Sequence, residues 1–394
     1  MVMRIAQIVP LHIPVPPPKY GGTERVVYNL VEGLVRAGHD VTLFASGDSH
    51  TSARLVPYID KHIFFNPEVD AHAFHVAMLT DIYRQAHKFD VIHSHLDYLT
   101  LPFVDSTDVP TVITLHGRLD APYAKVALRR YSDASYVSIS DSQRRDVPHL
   151  NWVATVHHGV EVASFAFHPV PGRYLTFVGR MSPEKRPDVA IAVAKRTGIP
   201  LKIAAKVDHK ERKYFEHEIR PLMDDPLIEW LGEVEEAEKR DLMANALALL
   251  LPIDWPEPFG MVFIEALASG TPVVTCPRGS VPELLKDGVT GFSGCTVDEL
   301  ADAVARIDTI SRLACRRYAE ERFDTARMAA DYVRVYERLQ PAARTTRPSR
   351  QTRPGYPIPG PLLVPRPSGT PKVAKPPVAL SAAAADHVES VPLP

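Results

Sequence analysis

The chain has 394 residues, 45% of them apolar and 23% charged, which suits a globular protein with two separately cored domains. A formal net charge of −2 gives no general pull toward nucleic acid or anionic lipid. The three cysteines, Cys276, Cys295 and Cys315, lack the short paired spacings of a disulfide framework or a zinc site, and they point to a reducing, cytoplasmic setting. The first apolar run, Ile5 to Val9, stops at Pro10, so neither a secretory segment nor a membrane-spanning helix is expected.

In chain order, Met3 to Pro10 predicts a buried strand. Its exit loop is rich in Pro and ends Gly21-Gly22-Thr23-Glu24. Val26, Val27, Leu30, Val31, Leu34 and Val35 then recur at helical spacing up to a stop at Gly38, and Asp40 to Ser46 predicts the second strand. Such a strand, glycine turn, helix, strand unit has the form of a phosphate-approaching βαβ, although the G-x-G-x-x-G spacing is absent. Two adjacent glycines also suit a tight turn that needs positive φ. A helix over 72–88 follows, then strands at Asp90–His95, Thr111–His116, Ser135–Ser140 and Thr155–Val160, which together predict a Rossmann-like half. Ligands gather at the carboxyl ends of such strands, where His93, His95, His116 and Ser140 fall. The alternation of His93 and His95 turns both rings to one side. With His116, His157 and His158 they suggest a metal site, but no carboxylate or thiolate sits at ligand spacing and no metal is expected. Residues 118–130 mix Arg118, Lys125, Arg129 and Arg130 with Leu119, Tyr123, Val126 and Leu128. That pattern fits a solvated face, or a basic amphipathic surface for weak peripheral membrane contact.

Residues 157–171 read as a linker. Tyr174 to Gly179 predicts a strand that delivers Arg180, and Lys185 and Arg186 stand at the start of the next helix. A helix N-terminus disfavours each cation by a few tenths to about 1 kcal/mol. A bound diphosphate reverses that sign, since Arg forks onto phosphate oxygens and Lys adds a point charge. A surface cluster offset by Glu184 and Asp188 is the alternative. Strands at Leu201–Ala205 and Ile228–Gly232 flank a charged helix over 209–223.

Two further apolar strands, Leu247–Ile253 and Pro272–Thr275, frame Trp255-Pro256-Glu257-Pro258-Phe259-Gly260-Met261 and a helix bearing Glu265. Glu265 lies among Val262, Phe263, Ile264, Ala266, Leu267 and Ala268. An ionised carboxylate there costs several kcal/mol, on the order of an uncompensated buried charge, unless donors meet it. The amides of Phe259, Gly260 and Met261 at the helix start form an anion site. The stretch therefore suits an anion and a polyhydroxyl group side by side. The plainer alternative makes Glu257 a helix-dipole partner and Glu265 a satisfied core ion pair.

Glu257 and Glu265, with Phe259-Gly260 between them, resemble the Glu-x7-Glu motif of family 4 retaining glycosyltransferases, and Gly179-Arg180 with Lys185 resembles the family's Gly-Arg-x4-Lys phosphate pair. The resemblance spans most of residues 3–340. It implies an α/β, GT-B fold: two Rossmann-like domains facing across a cleft, with C-terminal helices crossing back to the N-terminal domain. The divisions it implies are 1–168 on the acceptor side, 169–318 for the nucleotide-sugar, 319–340 crossing back, and a tail over 341–394. It further implies that Glu265 holds the nucleotide ribose, that Glu257 and the 259–261 amides position the donor sugar and diphosphate, and that Arg180 and Lys185 neutralise the leaving diphosphate. His116 is expected against the donor sugar, Gly21 and Gly22 beside the donor phosphate, and Val207 and Val234 at the edge of the base. The implied partners are a nucleotide-sugar, UDP-sugar favoured, and an unidentified acceptor. No nucleic acid, metal or other cofactor is expected, and no general base is assigned. Two other readings keep the fold, a GT-B epimerase or phosphorylase and a catalytically silent scaffold. No pyridoxal-type lysine motif supports the first, and the intact Arg180, Lys185, Glu257 and Glu265 speak against the second.

After Gln340 the composition changes: thirteen of the 37 prolines fall in the last stretch, with Arg344, Arg347, Arg350, Arg353 and Arg366 and almost no acid. This tail is expected to be disordered or PPII-like and to dock a partner or lipid headgroups.

Overall fold

The computed structural model of the chain describes residues 2–19, 21–63 and 69–340; the expected Pro/Arg-rich tail lies outside these. Two wholly parallel sheets dominate the described residues. The first contains β1 (Arg4–Ile8), β2 (Asp40–Ser46), β3 (Arg54–Ile59), β4 (Val91–Ser94), β5 (Thr111–Thr114), β6 (Ser135–Ser138) and β7 (Trp152–Thr155), in the order β3-β2-β1-β4-β5-β6-β7. The second contains β8 (Leu175–Arg180), β9 (Leu201–Lys206), β10 (Ile228–Gly232), β11 (Ala248–Leu251), β12 (Val273–Thr275) and β13 (Gly291–Ser293), in the order β10-β9-β8-β11-β12-β13. Strand order reverses between β1 and β4 and again between β8 and β11. In open parallel sheets these switch points are where ligands bind.

The central strands are short apolar runs buried on both faces: Ile5, Ala6 and Ile8 in β1, and Leu249, Leu250 and Leu251 in β11. Departures from expectation fall at the edges. The edge strand β3 is half-buried and carries Pro57, so it has no continuous apolar signal. The seventh strand lies at Trp152–Thr155 rather than 155–160, because His157 to Val160 already leaves the sheet toward the last helix, where Val160 bridges to Asp324. The charged stretch expected as one helix over 209–223 is broken into short 3-10, α and π turns.

The last helix, Thr325–Leu339, is capped by the Asp324 side chain and returns to the first sheet. Its Met328, Ala329, Tyr332, Val335 and Tyr336 are buried in the N-terminal core beside Val27, Leu30 and Leu34 of the first helix, Gly22–Arg36. Gly33 permits this contact, since a Cβ there would lie 2.9 Å from Thr325 Cγ2 and 3.0 Å from Ala329 Cβ. The tolerance of a mid-helix glycine, which costs about 1 kcal/mol against alanine, is thus explained by packing.

Candidate active site

The carboxyl ends of the two sheets enclose a cleft of about 480 Å³. From the second sheet, β8 delivers Gly179 and Arg180, and the turn Pro183–Lys185 delivers Lys185. The loop after β11 contributes Trp255, Glu257 and Phe259 and leads into the helix Met261–Ala268, which carries Glu265. From the first half come Gly21, Gly22 and Glu24 after β1, and His116 and Arg118 after β5.

Two buried ion pairs organise the cleft. Lys185 Nζ pairs with Glu257 Oε2, and Trp255 Nε1 donates to that same oxygen at 3.0 Å. Lys239 Nζ lies 3.0 Å from Glu265 Oε2 and 2.9 Å from Glu236 Oε2. The donor that buried Glu265 requires is therefore a lysine on the helix Glu236–Ala244. Glu265 is both ion-paired and part of the cleft wall. Burial pushes the Glu236 carboxyl up, but Lys239, Arg25 and Arg240 outweigh it and hold it below its ordinary range. Arg25, from the first helix, reaches Glu236 at 3.2 Å, and Lys19 reaches Glu235 at 3.2 Å. These pairs join the two halves across the rim.

Backbone shape matters at two glycines. Gly260 caps the Glu265 helix at φ +89, and a Cβ there would approach the Phe263 ring to 2.5 Å. The amides of Met261 and Val262 begin the helix and so lack intrahelical acceptors, as an anion site requires. Gly279, at φ +58, leaves room for the backbone of Glu257, whose nitrogen would stand 2.3 Å from an added Cβ. Ser280 N–H then donates to the Glu257 carbonyl at 3.0 Å, so the Gly279 turn fixes the height of Glu257 in the cleft.

Two family models divide the chain at this cleft. Glycosyltransferase Family 4 matches residues 20–164, and Glycosyl transferases group 1 matches residues 165–322. The chain is a family 4 glycosyltransferase. It is 28% identical over 382 residues to phosphatidyl-myo-inositol mannosyltransferase of Mycolicibacterium smegmatis, covering 86% of this chain and 95% of the relative. It is 27% identical over 410 residues to glycogen synthase of Mycobacterium tuberculosis, covering 87% and 96%. Among solved structures it is similar to AviGT4, a glycosyltransferase involved in avilamycin A biosynthesis (TM-score 0.66, 25% identity, 86% and 98% covered). Sucrose-phosphate synthase of Thermosynechococcus elongatus shares the fold (TM-score 0.70, 17% identity, 85% and 98% covered). The enzyme has the expected GT-B architecture and transfers sugars.

In this glycosyltransferase the candidate residues Gly21, Gly22, His116, Arg180, Lys185, Val234, Glu257, Phe259, Gly260, Met261 and Glu265 all line the one cleft. Val207 does not. β9 ends at Lys206, and Val207 lines an adjoining cavity with Phe215, Met223 and Trp230, which shares Lys206 and Glu233 with the cleft. Arg186, expected beside Arg180 and Lys185, turns away at φ 54 to Asp188 (2.9 Å) and Asp254 (3.5 Å). Arg118 does not join the basic face of 122–130. It pairs with Asp120 and stands 5.3 Å from the Trp255 ring, inside the cleft. Ser140 likewise does not line the cleft but clamps the two halves, donating to the Pro258 carbonyl at 2.7 Å.

Sequence reasoning missed Glu24, Arg25, Glu236 and Lys239 as cleft residues, and weighed His158 only as a metal ligand. Glu24 is 6% exposed, and burial raises its carboxyl to about 7 despite a bond from its own N–H. His158 stacks on His116, with ring centroids 5.2 Å apart, and packs against Phe259 at 4.6 Å. His157 instead bonds Glu283 at 3.1 Å, and Glu283 also accepts the amides of Asp141 and Ser142 at 2.8 Å each. No group of three or more His, Cys, Asp or Glu among the described residues is arranged to hold a metal ion.

Proposed function

We propose that the cleft binds a nucleoside diphosphate sugar, a UDP-sugar by preference, and passes the sugar to an acceptor hydroxyl with retention of anomeric configuration. The supporting observation is convergence: Arg180, Lys185, Glu257, the 259–261 amides and Glu265 come from separate segments to one cavity between the sheets. Glu265 takes the ribose hydroxyls. Glu257 and the helix-start amides take the sugar and diphosphate, and His116 contacts the sugar. Gly21 and Gly22 let the β1 loop approach the phosphates, Val234 flanks the base, and Val207, in the adjoining cavity, stands at most at the outer edge of the base. As the anomeric C–O bond breaks, charge grows on the leaving diphosphate, where Arg180 and Lys185 act in a water-poor site. Preorganised groups of this kind are each worth roughly 10²–10³ in rate. The leaving phosphate oxygen takes the proton of the acceptor hydroxyl as the new C–O bond forms on the same face, so the step needs neither a side-chain base nor a metal.

The divisions 1–168 and 169–318 then act as two bodies that close on the donor, with 319–340 as the return segment. The proposed setting is cytoplasmic. Among the described residues no helix is long and apolar enough to cross a membrane. Weak peripheral contact would use the face of the helix Pro122–Arg130 that exposes Val126, Arg129 and Arg130 while Ala124 and Leu128 pack inward. The names of the two mycobacterial relatives point one to a lipid and the other to glycogen, so kinship alone does not select the acceptor class. A thermal-shift panel of UDP-, GDP-, ADP- and dTDP-sugars tests the donor, since a ligand at 100 times its Kd adds about 2.7 kcal/mol. Release of the matching nucleoside diphosphate from the stabilising donor, UDP on this reading, and an α-to-α or β-to-β product by NMR complete the test. Stabilisation by none of the four, or an inverted product, rejects the reading.

A further inference from the structure

Behind His116 the cleft wall continues inward as an unbroken chain of polar side chains. His116 Nε2 lies 2.8 Å from His95 Nδ1, and His95 Nε2 lies 2.9 Å from Gln7 Oε1. Gln7 Nε2 donates to the Tyr336 hydroxyl at 3.1 Å, which lies 2.8 Å from His93 Nδ1. His93 Nε2 is 2.7 Å from Thr114 Oγ1. Gln7, His93, His95, Thr114 and Tyr336 are all buried. Burial holds His93 and His95 well below the ordinary imidazole range and His116 at about 3, so each ring is neutral with a single N–H.

One side chain gives this chain a direction. The Gln7 carbonyl can only accept, so His95 donates from Nε2 and its Nδ1 is bare. His116 must then carry its hydrogen on Nε2 and direct it inward. On the far side the Gln7 amide donates to Tyr336, whose own hydrogen goes to His93 Nδ1, leaving His93 Nε2–H for Thr114. Every joint runs the same way. The remaining atom is His116 Nδ1, which is buried without a partner on a residue that lines the cleft.

We propose that Gln7, His95 and Tyr336 fix the tautomer of His116, leaving Nδ1 as an acceptor for one hydroxyl of the sugar in the cleft. Gln7, His95 and Tyr336 are then positioning residues. The site selects a sugar carrying a hydrogen-bond donor at that position over one with a deoxy or methoxy group there. This rests on the reading of the cleft as a sugar site. With the Gln7 amide turned over, the chain would run backwards and His116 would offer an N–H, which favours the opposite substrate chemistry.

Long-range proton–nitrogen spectra of the full chain labelled with ¹⁵N-histidine, recorded without ligand, read the tautomers directly. The wild type is expected to show hydrogen on Nε2 of both His95 and His116. Gln7→Leu removes the carbonyl and is expected to mix the tautomers of both rings, and to lower kcat/KM for sugar transfer about tenfold, the scale of one neutral hydrogen bond. Tyr336→Phe breaks the next joint and serves as the second variant should Gln7→Leu fail to fold. Hydrogen on Nδ1 of wild-type His116, or an unchanged tautomer in a folded variant of either kind, overturns the proposal and leaves the transfer reading intact. The expected tautomers in a protein that transfers no sugar overturn both the functional reading and the hydroxyl-binding role, while the bonded chain stands.

Discussion

Replacement of Glu24 by Gln should stabilise the protein above neutrality and leave it unchanged in acid. Glu24 sits in the first turn of the helix Gly22–Arg36, where a carboxylate is ordinarily favoured, yet burial raises it from 4.5 to about 7. The folded state therefore holds this proton more tightly than the unfolded chain, and stability falls as pH rises from about 4.5 to about 7. At 1.36 kcal/mol per pH unit, that interval corresponds to about 3 kcal/mol lost by pH 8. A neutral amide of the same shape avoids the loss. Urea unfolding of wild type and Glu24→Gln at pH 4.5 and pH 8 measures it: the variant should gain on the order of 2–3 kcal/mol relative to wild type between the two conditions. An equal difference between the two proteins at both pH values would refute the argument.

Lys185→Met takes the cation from buried Glu257 and leaves it the neutral Trp255 N–H, so it should destabilise the fold by roughly 3–5 kcal/mol and lower kcat by about 10²–10³; Lys185→Arg should recover most of the stability, as denaturation and turnover assays will show. Glu265→Gln replaces a charged acceptor by a neutral one, and donor KM should rise about tenfold or more with kcat little changed; an unchanged KM removes Glu265 from the ribose site. Gly260→Ala forces a Cβ into the left-handed region and against the Phe263 ring, and should cost at least about 2 kcal/mol in stability and weaken donor binding, read by thermal melts with and without UDP-sugar.

How much of this was legible depended on whether a residue stood out against its neighbours. β1, β2, β8, β9 and β11 are runs of Val, Ile, Leu and Ala between turn residues, and they fall close to where periodicity put them. Glu265 was conspicuous because an acid in an apolar helix demands either a cation or a ligand beside it. Lys239, its partner, was not: it sits among Glu236, Glu238, Arg240 and Asp241 in the first part of the helix Glu236–Ala244, which reads as a solvated face. Glu24 was hidden by the opposite effect, since an acid in a helix's first turn looks ordinary. Gln7 and Tyr336 could have been found. A buried strand has no reason to carry Gln, and alternating histidines on β4 need hydrogen-bond partners from another element. The short edge strand β13 and Val207 depend on where a loop leaves a sheet, which local sequence does not encode.

Each cation that lines the cleft already has a carboxylate neighbour: Lys19 with Glu235, Arg25 with Glu236, Arg118 with Asp120, Arg180 with Glu184, Lys185 with Glu257, Lys206 with Asp208, and Lys239 with Glu265. The positive charges of the cleft wall are thus matched from within the chain, and a bare anion such as inorganic phosphate would have to compete with an acid for each lysine or arginine. A molecule that offers hydroxyls to the acids and oxyanions to the bases satisfies both partners at once. On the nucleotide-sugar reading, discrimination against simple phosphates would then come from the wall's own acid–base pairs, as competition rather than added contact.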